Sequence, residues 1–165
     1  MTILPIVKYP DPRLNQIAET VTVFDAGLRK LTNDLLETMR AAPGIGITAP
    51  HVGILQRVVV LELPGMASRV YVNPRILSAS NETMRHEEGS VSMPGVVDEV
   101  ERSAKVTIAY QDLDGHEQTE EAEGLLAICH QHEIDQLDGI FWIRRLSRLR
   151  RERLIKRYEK LQRQR

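Results

Sequence analysis

Helices together with a β-sheet are predicted by three observations. Leucine-rich stretches at helical spacing lie in the first and last thirds of the chain, β-branched runs lie between them, and an Asp-Gly turn separates two strand-like stretches. Tyr9-Pro10-Asp11-Pro12-Arg13-Leu14 reads as a proline-fixed, extended entry in which helix is disfavoured. Asp25 is a natural N-cap, and Leu28, Leu31, Leu35 and Met39 then recur at helical spacing, which predicts a core-facing helix over 26–40. Residues 41–51 are mostly small and include Gly44 and Gly46, so backbone there can approach another group closely. They make a poor phosphate cradle, because no Gly-Lys-Ser/Thr ending is present.

Residues 57–63 and 69–72 carry the β-branched content of strands. Residues 87–95 read as a loop with a short extended core. The stretches 105–110 and 117–122 flank Asp114-Gly115, a hairpin signal. From Gly124 a helical pattern runs to Leu137 and stops before Gly139, placing Cys129, His132 and Gln136 on one face with Glu133 beside them. A last helix is predicted over about 148–162, with Leu154, Tyr158 and Leu161 on its apolar side.

The 165 residues, 42% hydrophobic with a net charge of −1, suit one globular domain over 1–165. The first residues are too short and too soon broken by Pro5 for a signal peptide, and no apolar run reaches membrane-spanning length, so no membrane partner is expected. A single cysteine, Cys129, excludes an internal disulfide, and a cytoplasmic monomer is the expectation. The near-neutral total hides an asymmetry: residues 144–165 are strongly basic, with only Glu152 and Glu159 against them, so the rest of the chain is acidic.

One stretch carries chemistry. Gln131-His132-Glu133-Ile134-Asp135-Gln136 is one residue short of the metal-hydrolase helix His-Glu-x-x-His, with Gln136 where the second histidine would stand. A bare His-Glu pair is weak evidence by itself. Upstream, Gly44-Ile45-Gly46-Ile47-Thr48-Ala49-Pro50-His51 is similar to the Gly-x-Gly-x-Ala-Ala-x-Gln motif of the peptide deformylase family. Glu88-Gly89-Ser90-Val91-Ser92 resembles that family's Glu-Gly-Cys-Leu-Ser, and 131–136 resembles its Gln-His-Glu-x-Asp-His. The three stretches occur in the family's order and spacing, and the likeness extends from the Asp11-Pro12-Arg13-Leu14 entry to the C-terminal helix.

The resemblance implies an α+β fold of the peptide deformylase type, with strands wrapped around a central motif helix and with N-terminal and C-terminal helices besides. It implies a reaction that hydrolyses formate from the N-terminal formyl-methionine of new chains. Cysteine and two histidines would bind a divalent metal, Fe2+ or Zn2+, and glutamate would be the general base. The glutamine side chain and the backbone N–H after the cysteine would hold the oxyanion. Carried over, these roles fall on Glu133 as base, Val91 as backbone donor and His51 at the glutamine position, with Gly44, Gly46, His86, Gly89, Leu125, Ile128 and Cys129 around the pocket.

The departures fall where the chemistry is. Of the three ligand positions only His132 is kept, while Ser90 and Gln136 replace the other two. A serine hydroxyl stays protonated at neutral pH and a carboxamide oxygen is neutral, so both are poor ligands for such a metal. Losing them should remove most of the roughly 10 kcal/mol or more that holds a tight zinc site. No bound metal and little or no deformylase activity are expected. Glu133 is then either the family base or an exposed helix acid paired with a cation, and His51 either a hydrogen-bond donor or a surface-loop histidine. Cys129 reads as a buried helix residue.

Three function classes stay open. One is a non-catalytic homologue that binds a chain end or the ribosome. Another is a hydrolase of a different N-acyl or amide substrate with a metal site rebuilt from His51, His86 or His130 with His132. The third is metal-free chemistry on Ser90 with His132 and a carboxylate. Arg148, Arg151 and Lys156 on the basic C-terminal helix are candidates for contact with ribosomal RNA during translation, against the alternative of a solvated face balancing an acidic body. No DNA partner is expected.

Overall fold

Residues 2–164 are described by a computed structural model of the chain. Helix α1 spans Ala26–Ala41, and its N-cap Asp25 accepts the Leu28 N–H at 3.1 Å. It buries Leu28, Leu35 and Met39, three of the four residues whose spacing predicted it. A short strand β1, Gly46–Thr48, leads into a 3-10 turn at Ala49–Val52, and β2, Val58–Leu61, follows. All four β2 residues are buried. Val58 and Val60 pack in the cluster that holds Leu35 and Met39 of α1, whereas Val59 and Leu61 face the opposite cluster.

Strand β3, Arg69–Ala79, β6, Lys105–Gln111, and β7, Glu117–Glu123, complete an antiparallel sheet in the order β1-β2-β3-β6-β7. The β6–β7 pair is the expected hairpin, and β3 runs beyond the predicted 69–72. A second, two-stranded sheet pairs β4, Thr83–Ser90, with β5, Met93–Ser103. This corrects the expectation of a loop at 87–95. Along β5, Val96, Val100 and Arg102 face inward at a period of two, and one inward position is an arginine, so no apolar alternation marks the strand. The N-terminal entry also departs from expectation: Pro12–Asn15 forms a 3-10 turn capped by Asp11.

Helix α2, Leu125–Leu137, packs against β1, β2, β3 and β7 of the larger sheet and β5 of the smaller one, so the strands wrap the helix that carries His132 and Glu133. Helix α3, Arg148–Arg163, begins at Ser147, which caps Arg150 N, and buries Leu154 and Tyr158 in a cluster with Met93, Val96 and Trp142. Among the described residues no helix is long and apolar enough to cross a membrane.

Candidate functional site

A cavity of about 510 Å³ opens between α2, β1 and the turn joining β4 to β5. Leu125, Ile128, Cys129, His132 and Glu133 of α2 line it. Gly44, Gly46 and His51 line a second side, and His86, Gly89, Ser90 and Val91 a third. Two glycines are needed for this closeness. A Cβ on Gly46 would stand 3.3 Å from Glu133 Oε2, and one on Gly44 would strike Val91 Cγ1 at 2.9 Å.

Gln136 is not brought to the cavity. It is buried, and its side-chain amide donates to the Leu14 carbonyl at 2.8 Å, tying α2 to the N-terminal entry. Ser90 lines the cavity, with its hydroxyl accepting the Ser92 N–H at 3.1 Å. His130 lies elsewhere, bonded to Glu120 at 2.6 Å and edge-on to Tyr71, outside the cavity lining. His86 is at the exposed rim, its Nδ1 donating to the Glu87 carbonyl at 2.7 Å.

Glu133 is only 3% exposed, which rules out the exposed helix acid. Its Oε1 stands 3.5 Å from His132 Nε2, and its Oε2 is buried without a hydrogen-bond partner. Burial pushes its carboxyl up to about 7, against the opposing pull of His132. His51, 1% exposed, is likewise no surface histidine. The Thr48 backbone N–H donates to its Nδ1 at 2.9 Å, so the ring proton sits on Nε2, another buried atom without a partner. Burial, with the nearby His132, holds His51 neutral with a pKa of about 3.

His132 is positioned by a chain of buried ion pairs. Its Nδ1 faces Glu88 Oε1 at 2.8 Å. Arg102 donates to both oxygens of Glu88, at 2.8 and 2.9 Å, and to Asp135 at 2.7 Å, and Arg145 closes on Asp135 from the surface. Burial alone would raise Glu88, but the hydrogen bonds from Arg102 and His132 hold it at about 2. Burial alone would lower His132, but Glu133 and Glu88 together raise it. Sequence reasoning did not single out Glu88, Arg102, Asp135 or Arg145. Glu88 and Asp135 stand within the two motifs quoted above, whereas their partners Arg102 and Arg145 become visible only in the folded chain, Arg102 once β4 and β5 are paired. Cys129 is buried, and burial pushes its thiol up to about 12, which leaves it an inert thiol.

Among the described residues, the one group of three histidine, cysteine or acidic side chains close enough to share an ion is Asp112, Asp114 and His116. It lies at the β6–β7 turn, away from the cavity.

Comparison with known proteins gives a consistent picture. The model of the family described as polypeptide deformylase matches residues 3–152. A Brucella melitensis biotype 1 protein called peptide deformylase-like is 74% identical over 99% of this chain and 100% of its own length. A Rhizobium meliloti peptide deformylase is 44% identical over 97% of this chain and 94% of its own. The crystal structure of peptide deformylase from Ehrlichia chaffeensis superposes with a TM-score of 0.93 at 34% identity, covering 99% of this chain and 98% of that one.

Proposed function

The chain belongs to the peptide deformylase family, and from that membership we propose that it keeps the family's chain-end pocket but has lost the metal centre that makes the pocket a hydrolase. The observation that carries this reading is the donor set at the three ligand positions. Ser90 offers a hydroxyl, and Gln136 offers a neutral carboxamide outside the cavity, anchored on Leu14. His132 offers the sole imidazole, and both its nitrogens already face carboxylates. Such a set does not fit iron or zinc, so no step is assigned to a metal or to Glu133 as its base.

The cavity's own residues instead bind. Leu125, Ile128 and Val91 supply an apolar wall for a first side chain, and the His51 Nε2–H supplies a donor for a carbonyl. A formyl-Met peptide titrated into the purified protein should bind saturably without releasing formate. Multiple turnover, with formate rising in proportion to enzyme, would overturn the reading.

Hydrolysis by Ser90 has one observation in its favour, the Glu88 carboxylate on His132 Nδ1, an arrangement seen in serine hydrolase triads. Against it, no hydrogen bond joins Ser90 to His132 among the described residues, and no nucleophile elbow is present.

The same reading places the protein near new chains at the ribosome. Arg148 and Lys156 are exposed on α3 while its apolar side is buried, and a basic face of this kind binds RNA through counterion release. Salt-sensitive co-sedimentation with ribosomes, lost on changing Arg148, Arg151 and Lys156 to glutamate, is the expected outcome. Absence of binding at every salt concentration would end this part of the reading.

A further inference from the structure

Five side chains pass hydrogen bonds from the protein surface to the cavity without a gap. Arg145 donates through Nε and Nη2 to the two oxygens of Asp135, at 2.9 and 2.7 Å. The same Asp135 accepts Arg102 Nη1 at 2.7 Å, while Nε and Nη2 of Arg102 lie on Glu88 at 2.8 and 2.9 Å. Glu88 Oε1 then stands 2.8 Å from Nδ1 of His132, which lines the cavity. The four inner side chains are between 4 and 13% exposed, and Arg145 is 46% exposed. Arg145 is therefore the member that an outside group can reach.

Two guanidiniums share Asp135, and two carboxylates share Arg102. Among the described residues Arg145 is the side-chain donor to Oδ1 of Asp135, so that oxygen loses its donor when Arg145 leaves. A buried carboxylate short of donors is costly, and the pull then falls on Arg102, the cation that remains. Turning the Arg102 fork towards Asp135 takes donors from Glu88, the group that orients His132. A half-exposed arginine thus governs a cavity side chain with three partners between them.

Arg145 stands beside a basic surface. Arg144, Arg145 and Arg148 are exposed at the entry to α3. Along α3, Arg153, Lys156, Arg157 and Lys160 are exposed at spacings of three and four, forming one stripe directed away from the buried Leu154 and Tyr158. The planar fork of an arginine pairs a phosphate as readily as a carboxylate.

We propose that Arg145 is a positioning residue that links this basic face to the cavity. A phosphate backbone lying across residues 144–148 and the α3 stripe draws the Arg145 fork off Asp135. Arg102 turns to Asp135, Glu88 loosens its hold on His132, and the cavity holds a chain end less tightly. Such coupling is reciprocal, so an occupied cavity weakens phosphate binding by the same factor. The two ligands are those of the proposed function, on which the link rests, whereas the five-membered chain needs neither ligand to be in place. No covalent bond changes.

The test follows the nitrogen–proton NMR signal of the Arg102 Nε–H, which lies on Glu88 and is read without a ligand in the cavity. Wild-type full chain is titrated with fluorescently labelled polyuridylate at constant ionic strength, and RNA binding is followed separately by anisotropy. Bound RNA should shift that signal and speed its exchange with water about fivefold, at the lower end of ordinary couplings. Arg145→Gln without RNA should do the same, and Arg145→Lys, which keeps the charge but not the fork, should fall between. A formyl-Met peptide should bind RNA-loaded wild type about fivefold more weakly than RNA-free protein. An Arg102 signal unchanged in Arg145→Gln overturns the positioning role. A signal that moves in Arg145→Gln but not in RNA-bound wild type overturns the link, and so does equal peptide affinity with and without RNA. Each of these results leaves the chain-end and RNA readings standing. RNA that fails to bind brings down the link together with the RNA reading.

Discussion

The side-chain amide of Gln136 donates to the backbone carbonyl of Leu14, 122 residues away in sequence, at 2.8 Å. Both groups are buried, so the carboxamide at this position has become part of the scaffold. Gln136→Ala should orphan the Leu14 carbonyl and destabilise the protein by about 1–3 kcal/mol, the cost of an unsatisfied buried acceptor. Urea unfolding with an unchanged m-value is the measurement. A midpoint equal to wild type would mean that the bond contributes nothing.

If loss of ligands is the main defect, it is reversible. Ser90→Cys combined with Gln136→His should restore binding of zinc or iron, seen by elemental analysis after dialysis. Each single change should bind less than the pair, because the ligands act together. A double variant that stays metal-free would place the defect elsewhere in the cavity.

Arg102 sits between Glu88 and Asp135 with almost no exposure. Arg102→Met leaves Asp135 only its half-exposed partner Arg145 and takes the guanidinium from Glu88, which keeps His132. The expected loss is about 3–5 kcal/mol, the usual cost of breaking one side of a buried pair. Thermal unfolding of the variant within a degree of wild type would contradict the role given to this network.

Two buried groups make stability depend on pH in opposite directions. The His51 pKa is depressed from 6.5 to about 3, so its stability is present above pH 6.5 and is lost as pH falls towards 3, while the unfolded chain takes up the proton. Glu133 is raised from 4.5 to about 7, so its folded form gains a proton first, and stability is lost as pH rises from 4.5 through 7. Glu133→Gln should therefore raise the melting temperature more at pH 8 than at pH 5. His51→Gln should help more at pH 4 than at pH 7.5. Parallel melting curves for wild type and both variants across this range would refute the assignment.

Ser90 should remain unlabelled by a serine-reactive fluorophosphonate. Its hydroxyl is bonded to the Ser92 N–H and not to an imidazole that could take its proton. Stoichiometric labelling lost in Ser90→Ala would instead favour the serine reading.

Much of the fold is legible in the sequence, and the limits have physical causes. Leu28, Leu35 and Met39 announce α1 because one apolar stripe faces one cluster, and Asp114-Gly115 announces the β6–β7 hairpin because glycine at a φ of 83° suits the turn. The β4–β5 sheet is not announced, since its inward positions include Glu88 and Arg102, which read as surface residues until they are seen paired. At the site, the family resemblance brings Ser90, His132 and Glu133 together, yet it cannot tell that Gln136 turns to Leu14 or that His130 belongs to Glu120. Side-chain direction depends on partners distant in sequence.

The amount of iron, zinc and nickel in protein purified without added metal and with oxygen excluded, together with formate release from a formyl-Met peptide by the same sample, bears on everything above. Well under one ion per ten chains and no formate above the buffer blank are expected from a hydroxyl at 90 and an anchored carboxamide at 136. Close to one ion per chain with sustained formate release would contradict the loss of the metal centre.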